Sequence, residues 1–213
     1  MQTVIFLLLF TIVFPLSCYA QLPKKELTQF IKNNMQTYHI PGVSIAVIKD
    51  YRIEWIAGFG IADKIHQQPV TTDTLFQAGS ISKPVTAMAA LRAVKDQKIT
   101  LEKNINQYLR SWQLPENKWT AIQPVTLREL LNHSAGITVH GFVGYAKNQP
   151  LPSLIEVLNG VPPANSAPIR VSAIPGSNFN YSGGGYTIIQ QALMDVYHQF
   201  LKNSCIHWYY SHY

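Results

Sequence analysis

The chain contains little cysteine and little charge. Of its 213 residues only two are cysteines, Cys18 and Cys205, and 13% are charged, whereas 47% are hydrophobic. This balance favours a soluble globular protein with a real core, of one domain or slightly more. The net charge is +6, but no run of five basic residues and no zinc-finger or RNA-binding signature occurs, which argues against nucleic-acid binding.

The N-terminus also lacks a hydrophobic run long enough to span a membrane comfortably. The apolar stretch 4–16 is short, and small residues Cys18 and Ala20 follow it where a signal peptidase reads. We therefore predict a signal peptide over residues 1–20 and a periplasmic or secreted protein. Since residues 1–3 carry no lysine or arginine, an uncleaved membrane anchor is the alternative. Cleavage leaves a single cysteine, so no intrachain disulfide is expected.

Periodicity predicts an α+β arrangement. Apolar spacing predicts a helix over 26–40, two strands at 43–48 and 53–59 joined by a turn at 49–52, and a second helix from Ser80. The strands are mostly apolar, as if covered on both faces. Thr126 and Glu129 form a capping-box pattern that opens a helix. Residues 141–180 are interpreted as loop, with a third helix from about Tyr186.

The last stretch, 197–213, has an unusual composition. It contains three of the seven histidines and four tyrosines without a clear period. Cys205, His207 and His212 offer metal ligands, but such a shift in composition is more typical of translation in a wrong frame. We predict a catalytic region over 21–196, an aberrant, frameshift-like tail over 197–213, and no metal or cofactor.

The stretch FQAGSISKPVTAM, residues 76–88, places Lys83 one helical turn after Ser80. The two side chains share a helix face. Burial of that face would favour the neutral amine, which can take the proton of the serine hydroxyl and leave a nucleophile. The helix N-terminus offers the Ser80 N–H as half of an oxyanion hole. Alone, the same spacing also fits a capping serine beside a solvated lysine.

The wider sequence resembles the serine β-lactamase and penicillin-binding-protein family, in particular its class C-like branch of carboxypeptidases, aminopeptidases and esterases. The resemblance runs from about Pro41 to Asp195 and rests on several segments in the family's order. These are PGVSIAVIKD, LFQAGSISKPVTAMAALRAV, KITLEKNINQYL, VTLRELLNHSAGI and FNYSGGGYTIIQQ. It implies an antiparallel sheet flanked by helices plus an all-helical subdomain.

The resemblance also implies catalytic roles. Ser80 matches the acylated nucleophile, and Lys83 matches the base that shares its proton. Tyr181, 101 residues after Ser80, matches the tyrosine that passes protons between nucleophile and leaving group. Gly183 stands where the family's second motif, Tyr-x-Asn, has its asparagine, which puts substrate specificity in question.

Ser134 is a second candidate nucleophile, but the sequence around it argues against that role. The stretch NHSAG around Ser134 is close to the Gly-x-Ser-x-Gly elbow of α/β-hydrolases, but that elbow follows a strand, and TLRELL before it is predicted to be helical. We therefore expect a structural turn here, with His133 as a hydrogen-bonded core residue.

The family's third motif, Lys-Thr-Gly or His-x-Gly, does not occur in this sequence. Its strand supplies the second oxyanion N–H and part of the central sheet, so we expect the C-terminal strands to be missing and turnover to be impaired. The expected function is that of a serine hydrolase fragment acting on a β-lactam, a D-amino-acid peptide or an ester. The alternative is an inactive, ligand-binding member of the same group.

Overall fold

The structure is a computed structural model that describes residues 23–146 and 148–198. The predicted signal peptide lies outside these residues. So does the tail from residue 199, including the three possible metal ligands Cys205, His207 and His212. The chain divides into two compact units, Met1–Gln77 and Ala78–Tyr213.

Within residues 23–77, the first unit contains one helix and a three-stranded antiparallel meander. Helix α1 spans Lys24–Thr37, and strands β1, β2 and β3 span Gly42–Lys49, Arg52–Asp63 and Gln68–Pro69, paired in the order β1-β2-β3. Asp50 and Tyr51 form the predicted turn between β1 and β2, both with positive φ (50° and 60°). Such a pair is typical of a two-residue hairpin, because its twist matches that of the strands.

The expectation that both faces of these strands are covered is wrong. No residue of β1 or β2 is buried, and Ile48 and Ile53 are 67% and 66% exposed. One helix and three strands supply too little apolar surface to cover both faces of a sheet. An apolar sequence run therefore does not by itself establish burial.

The second unit holds the hydrophobic core. Its described part contains two short 3₁₀ turns, Gly79–Ile81 and Ile105–Gln107, and four helices, which are α2 (Ser82–Lys95), α3 (Leu127–Leu131), α4 (Leu154–Asn159) and α5 (Gly183–Tyr197). Helix α5 lies at the centre and contacts the other three. Ten of its fifteen residues are buried, and among them Ile188, Ile189 and Leu193 are at most 2% exposed, so the core surrounds most of α5.

The predicted capping box of α3 is confirmed. The Thr126 hydroxyl accepts from the Glu129 N–H, and the Glu129 carboxylate accepts from the Thr126 N–H at 2.8 Å. The Gln123 side chain donates to the same carboxylate at 2.7 Å. These bonds satisfy the free N–H groups of a helix only five residues long.

Helix α4 lies in the segment interpreted as loop. Ser153 and Glu156 form a second capping box at its start. Gly160 ends it in the left-handed conformation (φ 64°), where a Cβ atom would lie 2.3 Å from the Pro168 nitrogen. The start and stop signals were thus present in the sequence, but only six residues separate them, too few for a periodic pattern.

Helix α5 begins earlier than predicted, at Gly183 rather than near Tyr186. A Cβ atom on Gly184 would lie 2.7 Å from the Thr138 carbonyl oxygen. The glycines lower helix propensity, but their lack of side chains lets the helix approach segment 138–142 closely. The close packing of α5 against this segment therefore outweighs the low helix propensity of glycine.

Among the described residues, no helix combines the length and the apolar content needed to cross a lipid bilayer.

Candidate active site

Ser80 and Lys83 meet at the start of α2. The 3₁₀ turn Gly79–Ile81 runs directly into the helix, and the Lys83 Nζ donates a hydrogen bond to the Ser80 Oγ at 3.0 Å. Gly79 enters the turn with a φ of +52°, in the left-handed region that favours glycine. The spacing of three residues therefore brings the amine to the hydroxyl, as the sequence predicts.

Tyr181 reaches the same oxygen from the start of α5. Its hydroxyl donates to the Ser80 Oγ at 2.8 Å. The next residue, Ser182, caps the helix: its side chain accepts from the Gly185 N–H at 3.0 Å and donates to the Thr138 carbonyl at 2.8 Å. These bonds fix the backbone beside Tyr181, so two helices of one unit bring all three predicted residues together.

Hydrogen bonds to Lys83 and Ser80 set the ionisation of Tyr181 in this cluster. Hydrogen bonding to Lys83, and then to Ser80, holds the pKa of the Tyr181 hydroxyl below its ordinary value of 10.0. The Lys83 Nζ also lies 4.8 Å from the centroid of the Tyr181 ring and 5.8 Å from that of Tyr186. The arrangement thus stabilises the tyrosinate form of Tyr181.

Tyr186 contributes its ring rather than its hydroxyl. The hydroxyl donates to the Leu131 carbonyl at 3.0 Å, and burial raises its pKa above the ordinary value. Two tyrosines five residues apart therefore have opposite electrostatic environments. The sequence did not single out Tyr186, because a spacing of five residues does not place two side chains on one helix face.

His133 lines the cluster instead of lying in the core. It is half-buried, its Nδ1 accepts from the Ser182 N–H at 3.2 Å, and its ring lies 4.4 Å from that of Tyr181. Burial first, and then the charges of Lys83 and His140, lowers the pKa of His133 below 6.5. The predicted hydrogen bond is present, but the predicted core position is wrong, because the ring packs against Tyr181 at the edge of the unit.

His140 is a further residue that the sequence did not single out. Its ring centroid lies 5.0 Å from that of Tyr181, and its charge contributes to the lowered pKa of His133. It follows the segment whose carbonyls hold Ser182.

The burial expected for the Ser80–Lys83 face is not found. Ser80 is exposed and Lys83 is half-buried in the described structure. Desolvation of the amine is therefore not the main effect acting on this cluster. The main effect is instead that of the short contacts among Lys83, Ser80 and Tyr181.

The rejected serine has a different environment. Ser134 follows helix α3 rather than a strand, and its hydroxyl donates to the Asn132 Oδ1 at 2.7 Å. The strand–turn–helix context of a nucleophile elbow is thus not formed at this position.

Gly183 is fixed by packing. Its N–H donates to the His140 carbonyl at 2.9 Å, and a Cβ atom there would lie 3.2 Å from that oxygen and from the Phe142 ring. A side chain at this position would press on segment 140–142. Within residues 23–146 and 148–198, no group of three histidine, cysteine or acidic side chains is placed to hold a metal ion.

Comparison with known proteins gives consistent matches. The family model described as Beta-lactamase matches residues 27–204. The unguisins hydrolase ungD' of Aspergillus campestris is 31% identical over 122 residues, which cover 55% of this chain and 22% of that protein. A beta-lactamase of Providencia stuartii is 31% identical over 118 residues, covering 55% of this chain and 29% of the relative.

A solved structure matches a larger part of the chain. The octameric penicillin-binding protein homologue from Pyrococcus abyssi superposes with a TM-score of 0.70 and 25% identity. The match covers 87% of this chain and 42% of the other. This chain therefore spans less than half the length of each of these three proteins.

Proposed function

Since this chain belongs to the beta-lactamase family, whose model matches residues 27–204, we propose that it is a serine hydrolase that acts through an acyl-enzyme. Ser80 is the nucleophile, Lys83 the electrostatic partner and Tyr181 the proton carrier. The observation that carries this proposal is the contact of two proton-active groups with one hydroxyl, at 3.0 Å from the Lys83 Nζ and 2.8 Å from the Tyr181 hydroxyl.

The first step transfers a proton and forms a bond. The Tyr181 oxygen, ionised beside the Lys83 ammonium, takes the proton of the Ser80 hydroxyl while the Ser80 Oγ attacks the substrate carbonyl carbon. This assignment differs from the sequence expectation, in which Lys83 is the base. The lowered pKa of Tyr181 supports the change, because a larger fraction of this hydroxyl is then ionised at a given pH than in an ordinary tyrosine.

The second step breaks the acyl bond. The tetrahedral intermediate collapses, the leaving nitrogen or oxygen takes the proton from Tyr181, and Ser80 is left as an ester. Water then attacks the ester carbon and gives a proton to Tyr181, and on collapse of this second tetrahedral intermediate the Ser80 Oγ takes that proton back as the acid is released. The Ser80 N–H lies in the first turn of the helical segment, where backbone N–H groups have no helical acceptor, and is proposed as one oxyanion donor.

The proposed substrate is a β-lactam, a D-amino-acid peptide or a small ester, as in a class C-like member. The similarity to a beta-lactamase and to an unguisins hydrolase supports a substrate with a hydrolysable acyl group. We further propose that residues 1–20 direct the protein to the periplasm or outside the cell, and that residues 21–196 form the catalytic region.

A binding protein without turnover is the second candidate. Gly183 favours it, because the family's asparagine side chain at this position is absent and the packing leaves little room for one. Such a protein would form the ester at Ser80 but release it slowly.

Labelling of Ser80 tests the proposal. The purified protein is incubated with a fluorophosphonate or a penicillin, and peptide mass spectrometry locates the adduct. We expect one adduct on Ser80, lost in Ser80→Ala and retained in the control Ser134→Ala. An adduct on another residue, or none at all, would contradict the proposal. An adduct that persists without hydrolysis of nitrocefin or p-nitrophenyl acetate would favour the second candidate.

A further inference from the structure

Tyr181 lies just outside the regular structure of the second unit. Residues 179–182 form neither helix nor strand, and helix α5 begins only at Gly183. The Tyr181 hydroxyl nevertheless donates to the Ser80 Oγ at 2.8 Å. Because no helical turn or strand pairing fixes this backbone, the position of the hydroxyl depends on what holds the residues beside Tyr181.

His133 holds the backbone on both sides of Tyr181. Its carbonyl accepts from the Asn180 N–H at 2.8 Å, and its Nδ1 accepts from the Ser182 N–H at 3.2 Å. Its ring also lies against the ring of Tyr181, with 4.4 Å between the centroids. One residue therefore contacts three consecutive residues, and a change in its side chain acts directly on the position of Tyr181.

The backbone of His133 has a conformation that histidine rarely adopts. His133 follows Asn132 at the end of α3 and has a φ of 64°, in the left-handed region where glycine and asparagine are favoured. Such residues persist where the surrounding structure holds them, and they cluster at functional sites. In this conformation the carbonyl and the ring of one residue both reach segment 180–182.

The groups around the imidazole keep it neutral. Lys83 of α2 and His140 of segment 138–142 lie near it, and the rings of Tyr181 and Tyr186 pack against it. Burial first, and then the charges of Lys83 and His140, lowers the pKa of His133 below 6.5. A protonated Nδ1 is a donor and cannot accept from the Ser182 N–H. Protonation would therefore break this hydrogen bond and add a second cation near Lys83.

We propose that neutral His133 positions Tyr181 for proton transfer with Ser80, and that protonation of His133 ends this positioning. The inference rests on the proposed function, in which Tyr181 carries the proton. His133 acts through Tyr181 and is therefore a positioning residue. The site would then lose activity in acid for two separate reasons, since both the tyrosinate and its position are lost.

The pH dependence of Ser80 labelling tests this inference. Where only the ionisation of Tyr181 limits the rate, fluorophosphonate labelling slows about tenfold for each pH unit of acidification. Below the pKa of His133 the second proton should steepen the fall to about a hundredfold per pH unit. The rate is measured between about pH 4 and 8, and circular dichroism at each pH confirms that the protein is folded.

Two substitutions of His133 separate its acceptor from its ring. Asparagine keeps an acceptor close to the position of Nδ1, does not titrate and tolerates a left-handed backbone, whereas phenylalanine keeps only a ring. At about pH 8, His133→Phe should slow labelling about tenfold, the effect of one lost hydrogen bond, and His133→Asn should recover most of that loss. In both variants the steeper fall in acid should disappear.

His39→Asn is the matched control, because His39 is exposed and also has a left-handed backbone, with a φ of 54°. Its labelling profile should keep the steeper fall. A parent profile without this steepening would overturn the inference, as would an equal steepening in His133→Asn. Equal rates of the parent and His133→Phe at about pH 8 would also overturn it.

A second measurement does not require the reaction. The Ser182 amide signal of ¹⁵N-labelled protein is followed by NMR over the same pH range. It should shift as His133 is protonated and stay constant in His133→Asn. If Ser80 is not labelled at any pH, the proposed function is contradicted, and the Ser182 signal then decides the inference alone. A Ser182 signal that does not follow the titration of His133 would overturn the inference.

Discussion

At the scale of single residues, Lys83 contacts both of the other candidate catalytic residues. The Lys83 ammonium contacts the Ser80 Oγ at 3.0 Å and lies 4.8 Å from the Tyr181 ring. Hydrogen bonding to Lys83 is the largest cause of the lowered pKa of Tyr181. In the proposed mechanism Lys83 therefore acts mainly by increasing the fraction of Tyr181 that is ionised at a given pH.

Lys83→Met is expected to slow the labelling of Ser80 about a hundredfold near pH 7. The active form has Tyr181 ionised, so the rate rises with pH through its pKa, and removal of the cation moves that rise to higher pH. The rate of fluorophosphonate labelling is measured between about pH 5 and 11, a range that includes the ordinary titration of tyrosine.

The matched control for this change is Lys118→Met. The Lys118 Nζ also lies over an aromatic ring, 4.6 Å from the centroid of Trp119, but away from Ser80. Its rate profile should equal that of the parent. A profile in Lys83→Met that keeps its inflection would show that Lys83 does not control Tyr181.

His133 gives the site a second dependence on pH. Its lowered pKa keeps it neutral, so its Nδ1 can accept from the Ser182 N–H. Because the folded-state pKa lies below that of the unfolded chain, stability is fully present above about pH 6.5 and is lost as the pH falls toward the folded-state pKa. Protonation also adds a cation near Lys83 and His140.

His133→Phe should remove this acid-side loss while it keeps a ring beside Tyr181. We expect the melting temperature of the parent to fall between about pH 6.5 and 5, and that of the variant to change less. His39→Phe is the control, since His39 is exposed in the first unit. An equal fall in parent and variant would assign the acid sensitivity to other groups.

At the scale of elements, α5 positions Tyr181 and is held at both ends. Near its C-terminus the buried Asp195 carboxylate accepts from the N–H groups of Arg110 and Ser111 and from the Ser111 hydroxyl, at 2.6–3.1 Å. The Gln191 side chain donates to it at 3.0 Å. At its N-terminus the glycine run packs against segment 138–142.

Asp195→Ala should lower the free energy of unfolding by about 2–4 kcal/mol, because four donors lose their shared acceptor in a buried site. Denaturant unfolding measures this. Asp73→Ala, an exposed aspartate in the first unit, should change stability by no more than about 0.5 kcal/mol. Equal effects of the two substitutions would contradict the proposed role of Asp195 as an anchor.

Gly184→Ala tests the other end of α5. Alanine gains about 1 kcal/mol of helix propensity over glycine, but its Cβ would lie 2.7 Å from the Thr138 carbonyl oxygen. We expect the cost of the clash to exceed the gain in helix propensity, so that the variant is destabilised by about 1–3 kcal/mol. At Gly141 a Cβ atom meets nothing within 4 Å, so Gly141→Ala is the control. A stabilised Gly184→Ala would refute the close packing.

The elements also show where sequence reasoning succeeds. The hairpin around Asp50 and the capping box of Thr126 were predictable, because a turn and a cap are set by neighbouring residues. Helix α4 and the early start of α5 were not. A six-residue helix shows no period. A glycine is needed at position 184 because Thr138 packs closely against it, and Thr138 is distant in sequence.

At the scale of the whole molecule, the chain has the α+β, β-lactamase/transpeptidase-like fold that the sequence motifs predict, with a TM-score of 0.70 to the penicillin-binding protein homologue. The meeting of Ser80, Lys83 and Tyr181 followed from the motifs and their order. The position of His133 did not, because it depends on packing between segments that the sequence cannot place.

The most direct test of the account is the titration of Tyr181 itself. Tyrosines labelled with ¹³C at the ring carbon that bears the hydroxyl are followed by NMR over pH, and Tyr181→Phe identifies the resonance. The account predicts that Tyr181 titrates below the ordinary value of 10.0 and shifts upward in Lys83→Met. A resonance that titrates at or above 10.0 in the parent, or that does not move in Lys83→Met, would contradict it.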